Sequence, residues 1–234
     1  MMGTTRTLAI RLRASLQGAI GDVAFGMEDG AVSIAGLVFG VAASTNDRSV
    51  VLLAGAAGAV AGAVSMMAGT YLDVQSERHR ADALVEVART RIAADPAADS
   101  ARITGRLAGA GFSDEEVAII SRAFARHPEA LLDHVVAMEL GVVRRPGVSA
   151  WTHALWMFVA DIFAAGVPVV PFALFDIGTG RLVSLVVTGA LMAALGVARG
   201  LIGHVNIWWT AAQTMAIAGA AALAGVIIGH LVAG

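Results

Sequence analysis

The hydrophobic residues of this chain cluster in long runs that are separated by short polar or charged segments. A membrane-spanning helix needs about 20 consecutive, mostly apolar residues. Ser49–Leu72 carries no charge and is the clearest such run. Gly30–Ser44 is too short to cross a bilayer by itself, so its helix must begin upstream and include three acidic residues. The pattern predicts an all-α membrane protein with five transmembrane helices, at residues 20–44, 49–72, 150–174, 182–200 and 207–231.

The segment between the second and third predicted spans has a different pattern. Residues 76–148 contain 10 of the 16 arginines, and their apolar residues recur at helical spacing. Asp95-Pro96 marks a helix boundary, and Ser113 with Glu116 has the spacing of a capping box. We therefore predict a small cytoplasmic domain of about three helices, which divides the chain into residues 1–75, 76–148 and 149–234.

The composition agrees with a membrane protein and excludes several other classes. Hydrophobic residues make up 57% of the chain, charged residues 15%, and the mean hydropathy is +0.75. A soluble domain with this balance could not cover its core with polar surface. The absence of cysteine excludes disulfides and thiolate metal sites, and the net charge of −2 argues against a nucleic-acid partner. Because no nucleophile–base constellation or phosphate loop is recognisable, an enzyme is not expected.

The arginines predict the orientation in the membrane, because positive residues accumulate on the cytoplasmic side. If the N-terminus is cytoplasmic, 14 of the 16 arginines lie inside, and only Arg48 and Arg181 lie outside. We therefore expect the N-terminus and the helical domain to be cytoplasmic and the C-terminus to be external. A chain rich in alanine and glycine that lacks lysine suggests a high-GC bacterial genome, and we expect the protein in a bacterial plasma membrane.

Acidic residues within the spans are the first candidates for function, because a charge inside a bilayer is costly. Asp22 and Asp29 lie two helical turns apart on one face of the first span, and Glu28 is about 100° away from Asp29. Asp161 precedes two prolines in the third span, which we expect to break the helix and free its carbonyl groups. Structural explanations stay open: Asp22 and Glu28 suit an interfacial helix start, and Asp161 suits a cap.

The second span offers thioether ligands and small residues. Met66 and Met67 lie near its end, and a carboxylate and a thioether on adjacent helices suit a borderline divalent cation. A methionine pair is, however, more often packing filler. Glycines at GxxxG spacing, which permits close helix approach, occur at Gly36/Gly40, Gly58/Gly62, Gly196/Gly200 and Gly225/Gly229.

Several motifs together resemble the vacuolar iron transporter family of plants, yeast and bacteria. They are FGMEDGAVSIAGLVFGVAAS (25–44), SMMAGTYLDVQSERH (65–79), VAMELGV (136–142), AAGVPVVPF (164–172) and TAAQT (210–214). The likeness covers nearly the whole chain in the right order. It implies a homodimeric, five-helix transporter in the lipid bilayer that moves Fe²⁺, often Mn²⁺ too, out of the cytosol against protons. The metal ion is then a substrate, and no cofactor is expected.

The resemblance places Asp29 and Met66 on the transport path as metal ligands. A carboxylate oxygen together with a thioether would favour Fe²⁺ or Mn²⁺ over Mg²⁺ and Ca²⁺. We expect Glu28, Met67 and Asp161 to be accessory residues of the metal site. The groups expected to exchange protons are Asp29, Asp22, Glu28 and Asp161.

The chain departs from the family pattern at positions where the family carries metal ligands. The family often has a glutamate above the methionine, where Gly58 stands here. The metal-capturing positions of the family's cytoplasmic domain map to Ala88, Arg91, Asp99, Arg102, Val135 and Val136. Of these positions only Asp99 keeps an acid, and Glu139, three residues after Val136, is a second acid of the same pattern. Asp133 and His134 offer a partial substitute, although a surface pair is the simpler interpretation.

These departures leave two other functions open. The chain could be a transport-inactive membrane anchor for an interaction or sensing module, whose arginine-rich domain binds a partner or anionic lipids. It could also exchange another cation or a small solute by means of the same acids.

Overall fold

A computed structural model describes residues 15–138 and 149–233 of the chain. The described residues fold into α-helices and contain no strand. Five of these helices are long and apolar enough to cross a membrane, which confirms the predicted number of spans. They are α1 (Ile20–Ser44), α2 (Arg48–Ala94), α6 (Ala150–Leu174), α7 (Ile177–Ile202) and α8 (Ile207–Ala233).

Three shorter helices lie between α2 and α6, namely α3 (Pro96–Gly109), α4 (Asp114–Arg126) and α5 (Pro128–Met138). The side chain of Asp95 accepts hydrogen bonds from two backbone N–H groups in the first turn of α3. The predicted capping box starts α4: the Ser113 N–H donates to Glu116 Oε2 at 2.8 Å, and the Glu116 N–H donates to the Ser113 hydroxyl. These caps satisfy N–H groups that have no partner within the helix.

The chain divides into two compact units. The first comprises Met1–Asp73 and Val148–Gly234, and the second comprises Val74–Gly147. The second unit contains α3, α4, α5 and the last part of α2, which is one helical segment more than the sequence indicated. Its apolar core consists of Val85, Ala88, Ile92, Ile103, Leu131, Leu132, Val135 and Val136. Its cytoplasmic location stays a prediction.

Within the first unit, the helix directions alternate as consecutive membrane spans require. Helix α1 runs parallel to α6, with Gly26 opposite Met157, and parallel to α8, with Gly36 opposite Ala221. Helix α7 is antiparallel to α6, because the Ser184 hydroxyl near its start donates to a carbonyl group near the end of α6 at 2.8 Å. Helix α1 therefore packs between two parallel neighbours.

Glycines bring α1 and α8 into backbone contact. A Cβ atom added to Gly225 would lie 2.0 Å from the carbonyl oxygen of Gly36, and one added to Gly229 would lie equally close to that of Gly40. No side chain could be inserted there without separating the helices. Gly62, by contrast, has no atom within 4 Å of such a position, so its glycine spacing marks no close approach within one chain.

Two predicted helix limits are wrong. Helix α2 does not end near residue 72 but continues to Ala94 as one helix of 47 residues. Helix α7 begins at Ile177 rather than at residue 182, because Asp176 caps its first turn by accepting from the Thr179 N–H. Both errors have the same cause: an uncharged run marks the part of a helix that suits the bilayer, whereas a helix continues wherever its backbone stays hydrogen-bonded.

The expected break at the prolines of the third span is also wrong. Helix α6 continues through Pro168 and Pro171 to Leu174. The carbonyl oxygen of Pro168 accepts the hydroxyl of Ser184, so a polar side chain from the neighbouring helix contacts the main chain in this region. Neighbouring Ser and Thr side chains are one way in which membrane helices tolerate proline.

Candidate metal and proton site

The candidate site lies where α1 packs along α6. Because the two helices are parallel, residues one turn apart on α1 meet residues one turn apart on α6. Asp22 contacts His153, Gly26 contacts Met157 and Gly30 contacts Asp161. Polar and thioether side chains therefore line a contact that lies within the membrane-spanning helices.

Asp161 is buried at this contact. Only 2% of its surface is exposed, and within the described residues its Oδ1 atom has no hydrogen-bond partner. A Cβ atom added to Gly30 would lie 2.4 Å from the carbonyl oxygen of Asp161 and 3.0 Å from Oδ1. The glycine thus allows the carboxyl group to lie directly against the main chain of α1.

Asp29 precedes this glycine and is partly buried. Its carboxylate is close enough to that of Asp161 for the two to interact electrostatically. Two like charges in a low-dielectric environment are unfavourable unless a cation or a proton compensates them. The pair can therefore bind a cation, and it can also take up protons.

The register between α1 and α2 brings Met66 to the level of Asp29. A Cβ atom on Gly55 would lie 2.8 Å from Val38, and one on Gly58 would lie 2.5 Å from Leu37, so the helices are antiparallel. About two turns further along α2, the same register reaches the level of Asp29 on α1. Met66 and its neighbour Met67 are both partly buried.

Gly58, where the family often has glutamate, is covered by apolar side chains. Leu37 and Ile34 of α1 occupy the space into which a side chain at this position would extend. A carboxylate at this position would have to displace side chains that pack α1 against α2.

The two other acids of α1 have charged or ionisable partners from neighbouring helices. Asp22 Oδ2 lies 2.6 Å from His153 Nδ1. Glu28 Oε2 lies 3.1 Å from an Nη1 atom of Arg199 on α7. Asp22 and Glu28 therefore connect α1 to α6 and α7, in contrast to Asp161, whose Oδ1 has no partner among the described residues.

In the second unit, Asp99, which the sequence suggested as a metal ligand, contacts two arginines. Asp99 is only 3% exposed. Its carboxylate accepts from Arg91 Nε at 3.1 Å and also contacts Arg102. The two positions where the family would have glutamate thus provide positive charge to a buried aspartate, while Ala88 and Val135 lie in the apolar core.

Two further candidates of the second unit, Asp133 and His134, lie on α5. The His134 ring packs at 5.5 Å from the Phe124 ring, and Asp133 is exposed on the same helix. Glu139 lies outside the described residues. Among residues 15–138 and 149–233, no group of three or more His, Cys, Asp or Glu side chains is arranged to hold a metal ion.

Sequence reasoning missed three partners in the first unit: His153, Met157 and Arg199. One signal was available, because Asp22, Gly26 and Gly30 repeat every four residues, and His153, Met157 and Asp161 do the same. Spacing identifies such helix faces, but it does not tell which face meets which. That pairing comes only from the folded chain.

The two arginines that we expected on the external side have structural partners at the other end of the bundle. Arg48 donates to the carbonyl oxygen of Ala173 at 2.6 Å, close to the end of α6. Arg181 donates to the carbonyl oxygen of Ala42, close to the end of α1. A cation is favourable at the C-terminal end of a helix, where carbonyl groups lack partners.

The fold and the site together define a helical membrane protein with five spans and a pair of carboxylates inside the bundle. Comparison with known families identifies which one: the sequence model of the VIT family matches residues 20–230, and the chain belongs to this family. The resemblance seen in the motifs is thus confirmed. Members of this family are transporters rather than enzymes, as the composition led us to expect.

Individual relatives are similar over most of the chain. The chain is 30% identical over 206 residues to vacuolar iron transporter 1 of Eucalyptus grandis, covering 86% of this chain and 82% of that one. It is 28% identical over 180 residues to vacuolar iron transporter 1 of Arabidopsis thaliana, covering 76% and 72%. It is also 27% identical over 171 residues to the protein CCC1 of Saccharomyces cerevisiae, covering 72% and 53%.

Proposed function

We propose that this protein transports a divalent metal ion, Fe²⁺ or Mn²⁺, out of the cytosol in exchange for protons. The observation that carries the proposal is the pair of neighbouring carboxylates, Asp29 and Asp161, inside a bundle of membrane-spanning helices. The names of the similar plant proteins supply the identity of the cargo. The metal ion is a substrate that passes through, not a resident cofactor.

Asp29 and Met66 are the proposed ligands of the ion on its path. The carboxylate contributes a charged oxygen, and the thioether adds a softer donor that Mg²⁺ and Ca²⁺ do not prefer. Met67, the next residue of α2, and Asp161 are accessory donors in this proposal. The level of Met66 relative to Asp29 supports it, because one ion could contact donors from both helices.

Proton exchange follows from the same acids. When the cation leaves, Asp29 and Asp161 repel each other, and a proton relieves this repulsion. Binding of the next cation would displace that proton. Asp22 and Glu28 would take part through their contacts with His153 and Arg199, which can reform as the charge of the site changes.

The functional unit is proposed to be a homodimer in a bacterial plasma membrane, with the N-terminus and residues 76–148 in the cytosol and the C-terminus outside. Five spans are few for one chain to enclose a path. Asp29 is also only partly buried within one protomer, so a second copy would complete the surroundings of the ion.

One observation favours a different function. Because Arg91 and Arg102 contact Asp99, the second unit has its buried acid neutralised by arginines rather than available to a cation. A chain that no longer transports and instead binds a partner or anionic lipids through this unit would fit that arrangement. Exchange of another cation by means of the same two carboxylates is a further alternative.

Uptake into proteoliposomes tests the first proposal. Fe²⁺ and Mn²⁺ uptake is measured with and without a pH gradient for the native chain, Asp29→Asn and Met66→Leu. Asp82→Asn is the matched control, because this aspartate is exposed and lies in the second unit. We expect gradient-dependent uptake by the native chain and the control, none by Asp29→Asn, and reduced discrimination against Mg²⁺ in Met66→Leu.

The outcomes separate the alternatives. Uptake that does not respond to the pH gradient would reject proton coupling but not transport. If folded native protein takes up neither ion, transport of these metals is wrong, and the interaction module or another cargo replaces it.

A further inference from the structure

One face of α6 carries three side chains that commonly ligate transition metals. His153, Met157 and Asp161 follow one another at intervals of four residues and therefore lie above each other. All three are directed towards α1, because each contacts a residue of that helix. Imidazole, thioether and carboxylate groups thus lie along one helix–helix contact within a single protomer.

Glycines on α1 provide the space for these side chains. A Cβ atom added to Gly26 would lie 2.7 Å from Met157 Sδ, and one added to Gly30 would lie 3.0 Å from Asp161 Oδ1. Met157 is 3% exposed and Asp161 is 2% exposed. Both donor groups are therefore shielded from lipid and held directly against the main chain of α1.

One oxygen of the buried carboxylate has no partner: Oδ1 of Asp161 accepts no hydrogen bond from the described residues. Two basic side chains of α6 and α7 are engaged elsewhere, since Arg199 pairs with Glu28 and His153 pairs with Asp22. An ionised carboxylate in such a place costs several kcal/mol unless a cation or a proton accompanies it.

Methionine side chains also lie in the packing one turn to either side of Asp161. Met157 lies one turn before it on α6. Ala164, one turn after it, belongs to the same buried cluster as Met192 of α7, which is only 1% exposed, and Met27 of α1 packs against this cluster. Protonation of a carboxylate does not involve a thioether, whereas a borderline divalent cation can take a thioether as a ligand. The nearby methionines therefore favour a metal ion over a proton alone.

We propose that Asp161 and Met157 form a second metal-binding site inside the protomer, for a divalent transition metal such as Fe²⁺ or Mn²⁺. It differs from the site of Asp29 and Met66 in its thioether, and Asp161, an accessory donor there, is the principal carboxylate here. The proposal rests on the proposed function in that the metal is the cargo. Two neighbouring binding positions allow an ion to be held weakly enough to move on.

Equilibrium binding to the purified full-length protein tests the site without transport. Mn²⁺ binding is followed by the electron paramagnetic resonance of the free ion, and Fe²⁺ binding by anaerobic dialysis. We expect two classes of bound metal in the native chain and one class in each of Asp29→Asn and Asp161→Asn. The double variant should bind neither ion, and Asp82→Asn should behave as the native chain.

The thioethers give a reciprocal test that does not depend on removing a carboxylate from the inner site. In the Asp29→Asn background, Met157→Leu should weaken Fe²⁺ binding about tenfold, with a smaller effect on Mn²⁺. In the native background, Met66→Leu should instead weaken the class of bound metal that Asp29→Asn removes. Met215→Leu is the matched control, because Met215 lies on α8 beside a separate cavity.

Three results would overturn the proposal. The first is that Asp29→Asn is folded yet binds no metal. The second is that Asp161→Asn binds metal as the native chain does. The third is that Met157→Leu binds metal no differently from the Met215→Leu control. The second result would mean that Asp161 holds a proton only. A chain that binds metal in this assay but moves none into liposomes would reject the transport function and leave the site standing.

Discussion

At the scale of single residues, the contact between Gly30 and Asp161 shows how a membrane helix accommodates a buried acid. The carbonyl group and the carboxylate of Asp161 both lie against α1 at a position where α1 has no side chain. Close packing of backbone against backbone keeps lipid away from the charged group. The acid and the glycine therefore depend on each other, and a change at either should affect both.

Gly30→Ala should destabilise the folded protein by about 1–3 kcal/mol, the range seen for overpacked sites. The added methyl group would lie 2.4 Å from a main-chain oxygen, which cannot rotate away as a side chain would. Thermal unfolding in detergent, followed by tryptophan fluorescence, measures the effect. Gly62→Ala is the control, since no atom lies within 4 Å of its added methyl group. Equal melting temperatures for the two variants would contradict this reading of the contact.

The candidate acids were predictable from the sequence, but their surroundings were not. An acid within an apolar run is visible without a structure, and Asp29 and Asp161 were found in that way. That Asp22 and Glu28 would meet His153 and Arg199 could not be foreseen, because those partners lie more than a hundred residues away on helices whose rotation is set by packing. One sequence contains no information about such pairs beyond the spacing of each helix face.

At the scale of helices, hydropathy predicted some limits well and others poorly. The helices of the first and third spans begin and end as predicted, and Ser149 caps the first turn of α6 by accepting from the Thr152 N–H. The helix of the second span continues beyond the predicted residue 72, since many residues after Leu72 are good helix formers. Hydropathy reports where a helix suits a bilayer, and capping residues report where a helix ends.

The contact between α1 and α8 gives a prediction at this scale. Gly229→Ala would insert a methyl group 2.0 Å from the carbonyl oxygen of Gly40 and so force the two helices apart. We expect a lower melting temperature and a larger aggregated fraction in fluorescence-detected size-exclusion chromatography after heating. Gly219→Ala, on the same helix but with open space at its methyl group, should behave as the native chain. Equal loss in both variants would point to a general effect of alanine in α8.

The capping box of α4 predicts a pH dependence. Hydrogen bonds from the backbone N–H and the hydroxyl of Ser113 lower the pKa of Glu116. A lowered pKa means that the stabilisation is fully present above the pKa of the unfolded chain and is lost as the pH falls through the lower folded value. Hydrogen–deuterium exchange in the first turn of α4 should therefore be slower in the native chain than in Glu116→Gln at neutral pH.

This difference should disappear at a pH below the lowered pKa, because the native carboxyl group is then protonated as well. Glu115→Gln keeps the capping box and serves as the control at each pH. A difference that persists unchanged into acid would show that the charge of Glu116 does not contribute to the cap.

At the scale of the whole molecule, the two units bury their acids differently: Asp161 in the first unit has an unpartnered oxygen among the described residues, and Asp99 in the second contacts arginines. The interior of that second unit is apolar, and its buried acid contacts two arginines. Apolar packing and these ion pairs therefore both contribute to the stability of this unit.

Asp99→Asn tests the contribution of the ion pairs. It removes the carboxylate that Arg91 and Arg102 both contact, and we expect it to destabilise the second unit by about 1–3 kcal/mol, as for hydrogen bonds to charged groups. Faster hydrogen exchange in Val74–Gly147 would report this loss, while metal uptake at saturating concentration should stay near the native level. Lost uptake with unchanged exchange would instead make Asp99 a metal ligand. Asp82→Asn provides the surface control.

The bonds that join the helices differ in kind between the two ends of the bundle. At the end of α1, Arg48 and Arg181 contact main-chain carbonyl groups, and neither partner gains or loses a proton under physiological conditions. Near the start of α1, Asp22 contacts His153 and Glu28 contacts Arg199, so both partners of each bond are side chains. A single substitution can therefore remove a bond near the start of α1 from either helix, whereas a bond near its end can be removed only by replacing the arginine.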